Sequence, residues 1–263
     1  MTIDRLKQIL DARVAQFEQP AFIAQDPVSI PHAFDDPRDQ EVIGFYAALL
    51  AWGRRDIVLK KMAELCERME YRPYRFVYSF EDSGQHERLQ GFKHRTFQSV
   101  DAIGLTLVLS RVLQKFGSIE AAFASYVSAD APDVGCALEG FSQLLRTLGT
   151  DVPSRVWKHV SRPSSGSACK RLNMYLRWMV RPGPVDLGIW QTIRPHQLLL
   201  PLDVHVGRQA RAWGLLQRKA NDWKAVQELT ERCRMLDARD PVRYDFALFG
   251  SAIYGERLPA DIA

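Results

Sequence analysis

Cysteine is scarce in this sequence, and no run of apolar residues is long. The chain of 263 residues contains four cysteines, which are widely separated and form no CxxC pair. Zinc sites and iron–sulfur clusters need closely spaced ligands, so we expect no metal, no iron–sulfur cluster and no other cofactor. The cysteines, which we expect to be reduced and buried, are Cys66, Cys136, Cys169 and Cys233.

No apolar stretch approaches the length of a membrane-spanning helix. The first ten residues, MTIDRLKQIL, have the pattern of an amphipathic helix and not that of a secretion signal. We therefore expect a soluble, cytoplasmic protein with no membrane partner. The formal net charge of +4 is compatible with a polyanionic partner, but many proteins of similar charge bind none.

The alternation of apolar and polar residues that marks a half-buried strand is almost missing. Apolar residues recur at helical spacing along most of the chain, which predicts an all-α fold. The segment EVIGFYAALLAW is apolar nearly all round and stops before Gly53, which indicates a buried helix. Further helices are predicted over residues 55–69, 101–116, 118–127, 136–148, 204–214, 222–236 and 241–254.

The segment SRPSSGSACKRLNMYLRWMVR, residues 161–181, begins a helix in an unusual way. Ser167 is the expected N-cap, yet the first turn contains Lys170 and Arg171, where unpaired amides favour acidic residues. The predicted buried face consists of Leu172, Tyr175, Leu176, Met179 and Val180. The opposite face is predicted to carry Lys170, Met174, Arg177 and Arg181, so that the lysine, the amides and two arginines share one surface.

Two interpretations of this surface remain open. In the first, it is a solvated basic face that ends in an ordinary lysine. In the second, the neighbouring cations, the helix N-terminus and partial burial make Lys170 a neutral amine nucleophile. A lysine with an ordinary pKa of about 10.4 is neutral in fewer than about 1% of molecules at pH 7, and lowering that pKa by about three units costs the ammonium roughly 4 kcal/mol. The same amides and arginines would hold a phosphate.

A second candidate group follows Pro201 in the segment LLLPLDVHVGRQARAWGLL, residues 198–216. Asp203 is predicted to be the N-cap of a helix that carries Arg208 and Arg211. A capping carboxylate can still face a cleft, where it stabilises a cation or orients a water molecule.

At these two segments the sequence resembles the helix-hairpin-helix superfamily of DNA glycosylases. LDVHVGRQARAWGL is similar to the VDxHVxR signature that contains the essential aspartate of that superfamily, and SACKRLNMYLRWMV lies in the place of its lysine-bearing helix. Lys170 and Asp203 are 33 positions apart (203 − 170), which resembles the archaeal 8-oxoguanine glycosylase branch more than the endonuclease III type. FYAALLAWGRRDIVLKKM is similar to the early LLxSQQT segment of the superfamily.

The resemblance implies one domain with two lobes and a central cleft, with a central lobe near 40–165 and a second lobe formed by 1–39 and 166–263. It implies a monomeric enzyme of base-excision repair that binds double-stranded DNA, flips out a damaged base, and cuts the glycosidic bond. An oxidised purine such as 8-oxoguanine is the expected lesion. Such an enzyme would be cytoplasmic and associated with the nucleoid when it is bound to DNA.

The resemblance also implies roles for individual residues. Lys170 matches the lysine that attacks the sugar C1′ and forms a Schiff base, which permits strand cleavage by β-elimination, the AP-lyase reaction. Asp203 matches the carboxylate that stabilises the developing oxocarbenium and orients the lysine. Asp245 and Phe249, one helical turn apart, match an aspartate and an aromatic residue that contact the base.

Other residues are expected to complete the substrate and DNA contacts. Trp52, Met174 and Trp178 could join Phe249 in the pocket wall, although aromatic residues at helical spacing also simply pack in a core. The usual LPGVG hairpin is replaced by residues 164–167, and the usual SQQT loop by residues 52–55, which contain no glutamine to fill the gap left by a flipped base. The residues expected to contact the DNA backbone are Arg54, Ser165, Gly166, Ser167, Arg171, Arg177 and Arg208.

Two other classes of protein remain open. A non-catalytic helical DNA-binding or scaffold protein would use Lys170 and Arg177 only to contact phosphates. A thiol enzyme would use Cys169 with His205, because helix N-termini lower thiol pKa values, but Cys169 is predicted to point toward the buried face. The remaining histidines have no metal-site spacing and are expected in loops or at the surface: His32, His86, His94, His159 and His196.

Overall fold

The computed structural model describes residues 2–255, and over that range the chain forms helices and connecting segments without a β-strand. The predicted all-α fold class is confirmed. The α-helices, numbered along the chain, are α1 (Ile3–Phe17), α2 (Ser29–His32), α3 (Pro37–Leu50), α4 (Arg55–Arg68), α5 (Pro73–Tyr78), α6 (Phe80–Ser83), α7 (Ser99–Phe116), α8 (Ile119–Ala124), α9 (Gly135–Leu148), α10 (Lys170–Val180), α11 (Val204–Ala212), α12 (Trp223–Arg234) and α13 (Tyr244–Tyr254).

The described residues fall into two compact units. The terminal unit comprises residues 2–22, 130–135 and 162–255, and the central unit comprises residues 23–129 and 136–161. The central unit thus begins earlier than the boundary near residue 40 that the resemblance implies. The central cleft stays a prediction.

The core of the central unit is built on α3. Every residue from Glu41 to Leu50 is buried, as the apolar pattern of this segment predicts. Glu41 is the polar exception, and its carboxylate accepts the amides of Ile119 (3.0 Å) and Glu120 (2.8 Å) at the start of α8. The buried acid is satisfied by the unpaired N–H groups of a helix N-terminus, which explains why it can be buried at all.

The terminal unit is organised around α10, which is buried on all sides from Leu172 to Val180. The chain folds back over the end of this helix, where Leu187 and Gly188 donate amides to the Trp178 carbonyl (2.8 and 3.1 Å). The expectation of an exposed basic face is therefore wrong for Arg177 and Arg181, which are 4% and 5% exposed. Helical spacing separates polar from apolar faces, but it does not tell whether a polar face meets water or acidic partners.

The acidic partners of these two arginines come from four separate places in the terminal unit. Arg177 pairs with Asp186 (3.2 Å) and with Asp245, and Arg181 pairs with Asp186 (3.1 Å), Asp240 (2.7 Å) and Glu18. Both guanidinium groups also lie over the Phe246 ring, at 4.3 and 5.5 Å from its centre. This buried ion network joins α1, α10, the connector after α10 and α13.

No helix within residues 2–255 meets the requirements for crossing a membrane. None of these helices combines the length and the apolar character that crossing a bilayer requires.

We predict that Gly250→Ala destabilises the terminal unit. A methyl group at this position of α13 would overlap the ring of Phe17 in α1, which also stacks on Tyr254 (5.5 Å between ring centres). Overpacking of this kind costs about 1–3 kcal/mol, against a gain of up to about 1 kcal/mol because alanine favours the helix. The free energy of unfolding in urea should fall, and an unchanged or higher value would contradict the packing of α1 on α13.

Candidate functional site

Lys170 and Asp203, the two residues expected to carry the chemistry, lie close together in the terminal unit. Lys170 is the first residue of α10, and Asp203 is the N-cap of α11. The distance between Lys170 Nζ and Asp203 Oδ2 is 4.0 Å, and the two side chains are 27% and 22% exposed. The structure thus joins an amine and a carboxylate from distant segments, and solvent still reaches both.

The start of α10 differs from the prediction. Cys169, and not Ser167, is the residue before the helix, and its backbone is left-handed with φ of +48°. Ser167 accepts the amide of Cys169 at 3.1 Å and so closes the preceding turn. Lys170 is therefore the first helical residue instead of the third, but it remains beside the unpaired amides of the first turn.

Asp203 is held firmly by its own helix. Its Oδ1 accepts the amides of His205 (2.8 Å) and Val206 (2.9 Å), which confirms the predicted N-cap. Its other oxygen, Oδ2, is the one that approaches Lys170. One oxygen thus anchors the carboxylate while the second stays available to a cation.

Another close neighbour of the Lys170 amine belongs to α10 itself. The amine lies 3.3 Å from the sulfur of Met174, which is buried one turn further along. Burial lowers the pKa of Arg171 to about 10, which leaves this side chain cationic at neutral pH. The amine therefore lies beside a thioether and a carboxylate.

A third functional candidate, Asp245, lies buried in α13 and interacts electrostatically with both members of the pair. One of its oxygens pairs with Arg177, whereas the other, Oδ1, is buried without a hydrogen-bond partner. Its pKa is raised to about 6, mainly because burial disfavours the carboxylate; Arg177 and Lys170 oppose this effect, and Asp203 adds to it. An unpaired buried carboxyl oxygen is available to a ligand group that can enter the site.

Phe249, expected beside Asp245, lies one turn further along α13 and is half-buried. Its ring centre is 6.5 Å from that of His205 in α11, with the rings perpendicular. The expected pocket residues Met174, Asp245 and Phe249 thus belong to the terminal unit, together with Lys170 and Asp203. Trp178, by contrast, is completely buried in the core.

The segment expected to replace the hairpin is a short 3₁₀ turn, Pro163–Ser165, followed by Gly166 with φ of +75°. Ser165 and Gly166 are exposed and Ser167 is half-buried, and the Gly166 carbonyl accepts the amide of Trp223 at the start of α12 (3.0 Å). Arg208 is exposed on α11. Arg177 is the exception among the expected backbone contacts, because its ion pairs bury it.

The remaining expected site residues, Trp52 and Arg54, belong to the central unit. The Trp52 indole stacks on the imidazoles of His94 and His159, with ring centres 5.7 Å apart in both cases. Arg54 is exposed and pairs with Asp56 (2.8 Å). A depression of about 450 Å³ is lined by Trp52, Gly53, Arg95 and Thr96.

His94 and His159 are expected in loops or at the surface. His94 lies in a loop and His159 ends a short 3₁₀ helix, Ser154–His159, but neither is at the surface, since both are buried. His94 contacts the Trp52 carbonyl (3.1 Å), and His159 lies 3.4 Å from the buried carboxylate of Asp101. Burial lowers the pKa of His94, so the neutral ring is favoured in its stack. The sequence offers no periodic signal for such a stack, because its members come from three segments that are far apart along the chain.

The cysteines also depart from expectation at one position. Cys66, Cys169 and Cys233 are buried as predicted, but Cys136 is exposed. Burial raises the pKa of the Cys66 thiol to about 12. Because Cys169 is buried and His205 is exposed, the two do not form an accessible thiol site in this structure.

Sequence reasoning missed the acids of the ion network, Glu18, Asp186 and Asp240. Asp186 lies in the proline-containing connector after α10, where no periodicity marks a buried residue. Glu18 is 163 positions from its partner Arg181, so no local pattern could connect the two.

A family model described as a protein of unknown function (DUF2400) matches residues 26–254 of the chain. The chain belongs to this family. The matched range includes Lys170, Asp203 and Asp245. Comparison with curated proteins and with solved structures finds no match.

We predict that two substitutions of Asp203 in this DUF2400 protein separate its capping role from its charge. Asp203→Asn keeps a side-chain oxygen for the amides of α11 and should change stability little. Asp203→Ala removes the cap and should lower the free energy of unfolding by about 1 kcal/mol. Urea denaturation measures both, and equal losses for the two variants would show that the cap contributes nothing.

We predict that Asp245→Asn changes the pH dependence of stability, so that the variant compares with the native protein more favourably at neutral pH than at acidic pH. Because the pKa of Asp245 is raised in the folded state, the stability that it contributes is present below pH 4 and is lost as the pH rises toward and through 6. The variant lacks this loss, so its free energy of unfolding minus that of the native protein should be about 1 kcal/mol higher at pH 7.5 than at pH 5. Denaturation at both pH values tests this, and a difference that is the same at both would contradict it.

Proposed function

We propose that this protein is a DNA glycosylase of base-excision repair with AP-lyase activity, acting on an oxidised purine such as 8-oxoguanine. The observation that carries the proposal is the 4.0 Å distance between Lys170 Nζ and Asp203 Oδ2. The resemblance assigns catalytic roles to these two residues, and their segments are brought together at a position that solvent reaches.

In the proposed reaction, the neutral amine of Lys170 attacks C1′ of the damaged nucleotide. The glycosidic bond breaks, and its electron pair leaves with the base, which takes up a proton. The attached amine loses its protons as the sugar ring opens, and a Schiff base forms between Nζ and C1′. Loss of a proton from C2′ then expels the 3′ phosphate, and water releases the lysine.

Asp203 supports this reaction through its fixed position. The α11 amides hold Oδ1, so Oδ2 stays beside the amine and beside the sugar that would be bound to it. A carboxylate there stabilises the positive charge that develops on the sugar. This role needs the negative charge of Asp203 and not only its capping oxygen.

The bound base is proposed to lie against Met174, Asp245 and Phe249. The unpartnered Oδ1 of Asp245 supports a polar contact to the base, as an acceptor when ionised and as a donor when protonated. Flipping a base out of the duplex costs a few kcal/mol, which contacts to phosphates must offset.

The proposed phosphate contacts are the exposed or half-buried residues of the expected set. Arg177 is not among them, because Asp186 and Asp245 occupy its guanidinium. The proposed partner is double-stranded DNA with a damaged base, bound by a monomer in the cytoplasm. Trp52 stays a proposed contact to the base, and the proposed phosphate contacts are Arg54, Ser165, Gly166, Ser167, Arg171 and Arg208.

The alternative is a non-catalytic DNA-binding or scaffold protein. The carboxylate beside Lys170 favours this alternative, since an ion pair at the start of a helix requires no chemistry to explain it. In that case Lys170→Gln would weaken DNA binding modestly and lower its salt dependence, because one phosphate contact is lost.

We predict that borohydride traps the native protein on duplex DNA containing 8-oxoguanine. The reagent reduces the Schiff base to a stable secondary amine, which gives a covalent adduct on a denaturing gel. Lys170→Gln should abolish the adduct, and Asp203→Asn should slow its formation at least about 100-fold, because the transition-state charge is no longer stabilised. The exposed Lys219 provides a matched control, and Lys219→Gln should trap like the native protein.

The same experiment can refute the proposal. Absence of an adduct from the native protein across a panel of lesions, including 8-oxoguanine, hypoxanthine and uracil, would remove the lysine mechanism. An undiminished adduct with Lys170→Gln would assign the attack to another amine. Binding of the same duplexes, measured in parallel, separates loss of chemistry from loss of affinity.

A further inference from the structure

The segment YRPYRFVY, residues 71–78, presents tyrosine and arginine side chains to solvent in the central unit. Pro73, Phe76 and Val77 are its buried residues and hold α5 in place. Tyr71 is 62% exposed and Tyr78 is 44% exposed, which is unusual for such large apolar rings. The exposed arginines of the segment are Arg72 and Arg75.

Several planar groups of this face are held in a row. The Arg38 guanidinium lies 4.9 Å from the centre of the Tyr74 ring, and the Tyr74 ring stacks on Tyr78 at 5.7 Å with 27° between planes. Asp39 fixes the start of α5 by accepting the amide of Tyr74 at 2.8 Å. The row ends at Tyr78, whose ring is therefore already held in place in the unbound protein.

The backbone before α5 is strained where it presents Tyr71. Glu70 and Tyr71 both have φ of +53°, a left-handed conformation that side chains with a Cβ rarely adopt. The short connection from α4 requires it, since the Tyr71 amide still closes the end of α4 on the Cys66 carbonyl (2.9 Å). The exposed Tyr71 side chain packs little against the core, so packing does not offset the backbone strain. Uncompensated backbone strain of this kind is often found at functional positions.

The acids beside this face already have partners, and Asp39 accepts the amide of Tyr74. Asp36 pairs with Arg38 (2.8 Å) and Glu70 pairs with Arg88 (2.5 Å). Neither Arg72 nor Arg75 makes an ion pair with any residue between 2 and 255. Two guanidinium groups without an ion pair thus flank exposed aromatic rings, and the carboxylate of Asp39 interacts electrostatically with one of them, Arg72.

We propose that this face, formed by Tyr71, Arg72, Arg75 and Tyr78, binds single-stranded nucleic acid. Unpaired bases stack on aromatic side chains in a way that tolerates any sequence, and arginines contact the phosphates between them. A duplex fits the face less well, because its bases are stacked on each other and only its phosphates are accessible. This binding goes beyond the glycosylase proposal and does not depend on Lys170 or Asp203.

The test is fluorescence anisotropy of a labelled 15-nucleotide oligothymidine and of its undamaged duplex, titrated with the full chain at several salt concentrations. The native protein should bind the single strand more tightly than the duplex. Tyr78→Ala should weaken binding of the single strand at least about fivefold, because one stacking platform is lost. The double variant Arg72→Gln/Arg75→Gln should lower the salt slope by about 1.4, since two phosphate contacts are lost.

Tyr71→Gly separates the loss of binding from any loss of folding. Glycine adopts the left-handed conformation without strain, so this variant should unfold at the same temperature as the native protein or higher. Its affinity for the single strand should nevertheless fall at least about fivefold. Matched controls are Tyr126→Ala, another exposed tyrosine of the central unit, and Arg5→Gln/Arg239→Gln, which removes two exposed arginines elsewhere.

Three results would overturn the proposal. In the first, the native protein does not bind the single strand. In the second, the variants at the four residues of the face bind it as tightly as the native protein does. In the third, the control variants weaken binding of the single strand as much as the variants of the face. Polyglutamate serves as the probe for an acidic protein partner. If it binds as tightly as the oligonucleotide and loses affinity in the same variants, the face belongs to a protein interface instead. The oligothymidine and its duplex contain no damaged base, so the outcome of this titration is independent of whether borohydride trapping supports the glycosylase proposal.

Discussion

The terminal unit depends on the burial of two arginines, Arg177 and Arg181, near the end of α10. A buried guanidinium is tolerated only when acids surround it, and removal of one partner from a buried ion pair typically costs about 3–5 kcal/mol. The four acids come from the end of α1, the connector after α10, the residue before the last 3₁₀ turn, and α13. The network therefore ties both ends of the unit to one helix, and the Phe246 ring packs beneath it.

The network also sets the electrostatics of the candidate site. It contains four carboxylates for two guanidinium groups, so burial of the excess negative charge raises the pKa values of Asp186, Asp240 and Asp245. Asp245 connects the network to the pair formed by Lys170 and Asp203, at the opposite end of α10. A site made of one amine and two carboxyl groups is thus coupled to the packing of the whole unit, and a proton at Asp245 changes the charge of that site close to neutral pH.

The central unit uses its polar and aromatic residues differently. Its core contains a buried helix, α3, and a stack of Trp52 on two buried histidines, whereas α5 exposes tyrosines and arginines that its own acids do not neutralise. Membership of the DUF2400 family extends over both units, so the lysine pair and the exposed face of α5 both lie within the family's matched range. The two features differ in chemistry: one is an amine beside two carboxyl groups, and the other is a set of exposed aromatic rings and guanidinium groups.

Much of the fold follows from local patterns. The helices α4, α7 and α9 begin and end within about two residues of the predicted positions, because their apolar residues recur at helical spacing. A glycine directly after α7 and after α9 also marks where these two helices end. Asp203 was identifiable as a cap for the same reason. Helix α5 escaped prediction, because six residues are too few to establish a period. The start of α10 was misplaced because Cys169 adopts a left-handed conformation that the sequence does not signal.

The sequence by itself determined the helical class, the cap at Asp203 and the candidate lysine, since each depends on residues within a few positions of one another. Only the tertiary structure decided that Arg177 and Arg181 are buried, that His94 and His159 stack on Trp52, and that Lys170 lies beside Asp203. The physical reason is that burial and ion pairing depend on distance in space. The sequence around Arg181 is the same whether its guanidinium contacts water or the carboxylate of Glu18, which is 163 positions away.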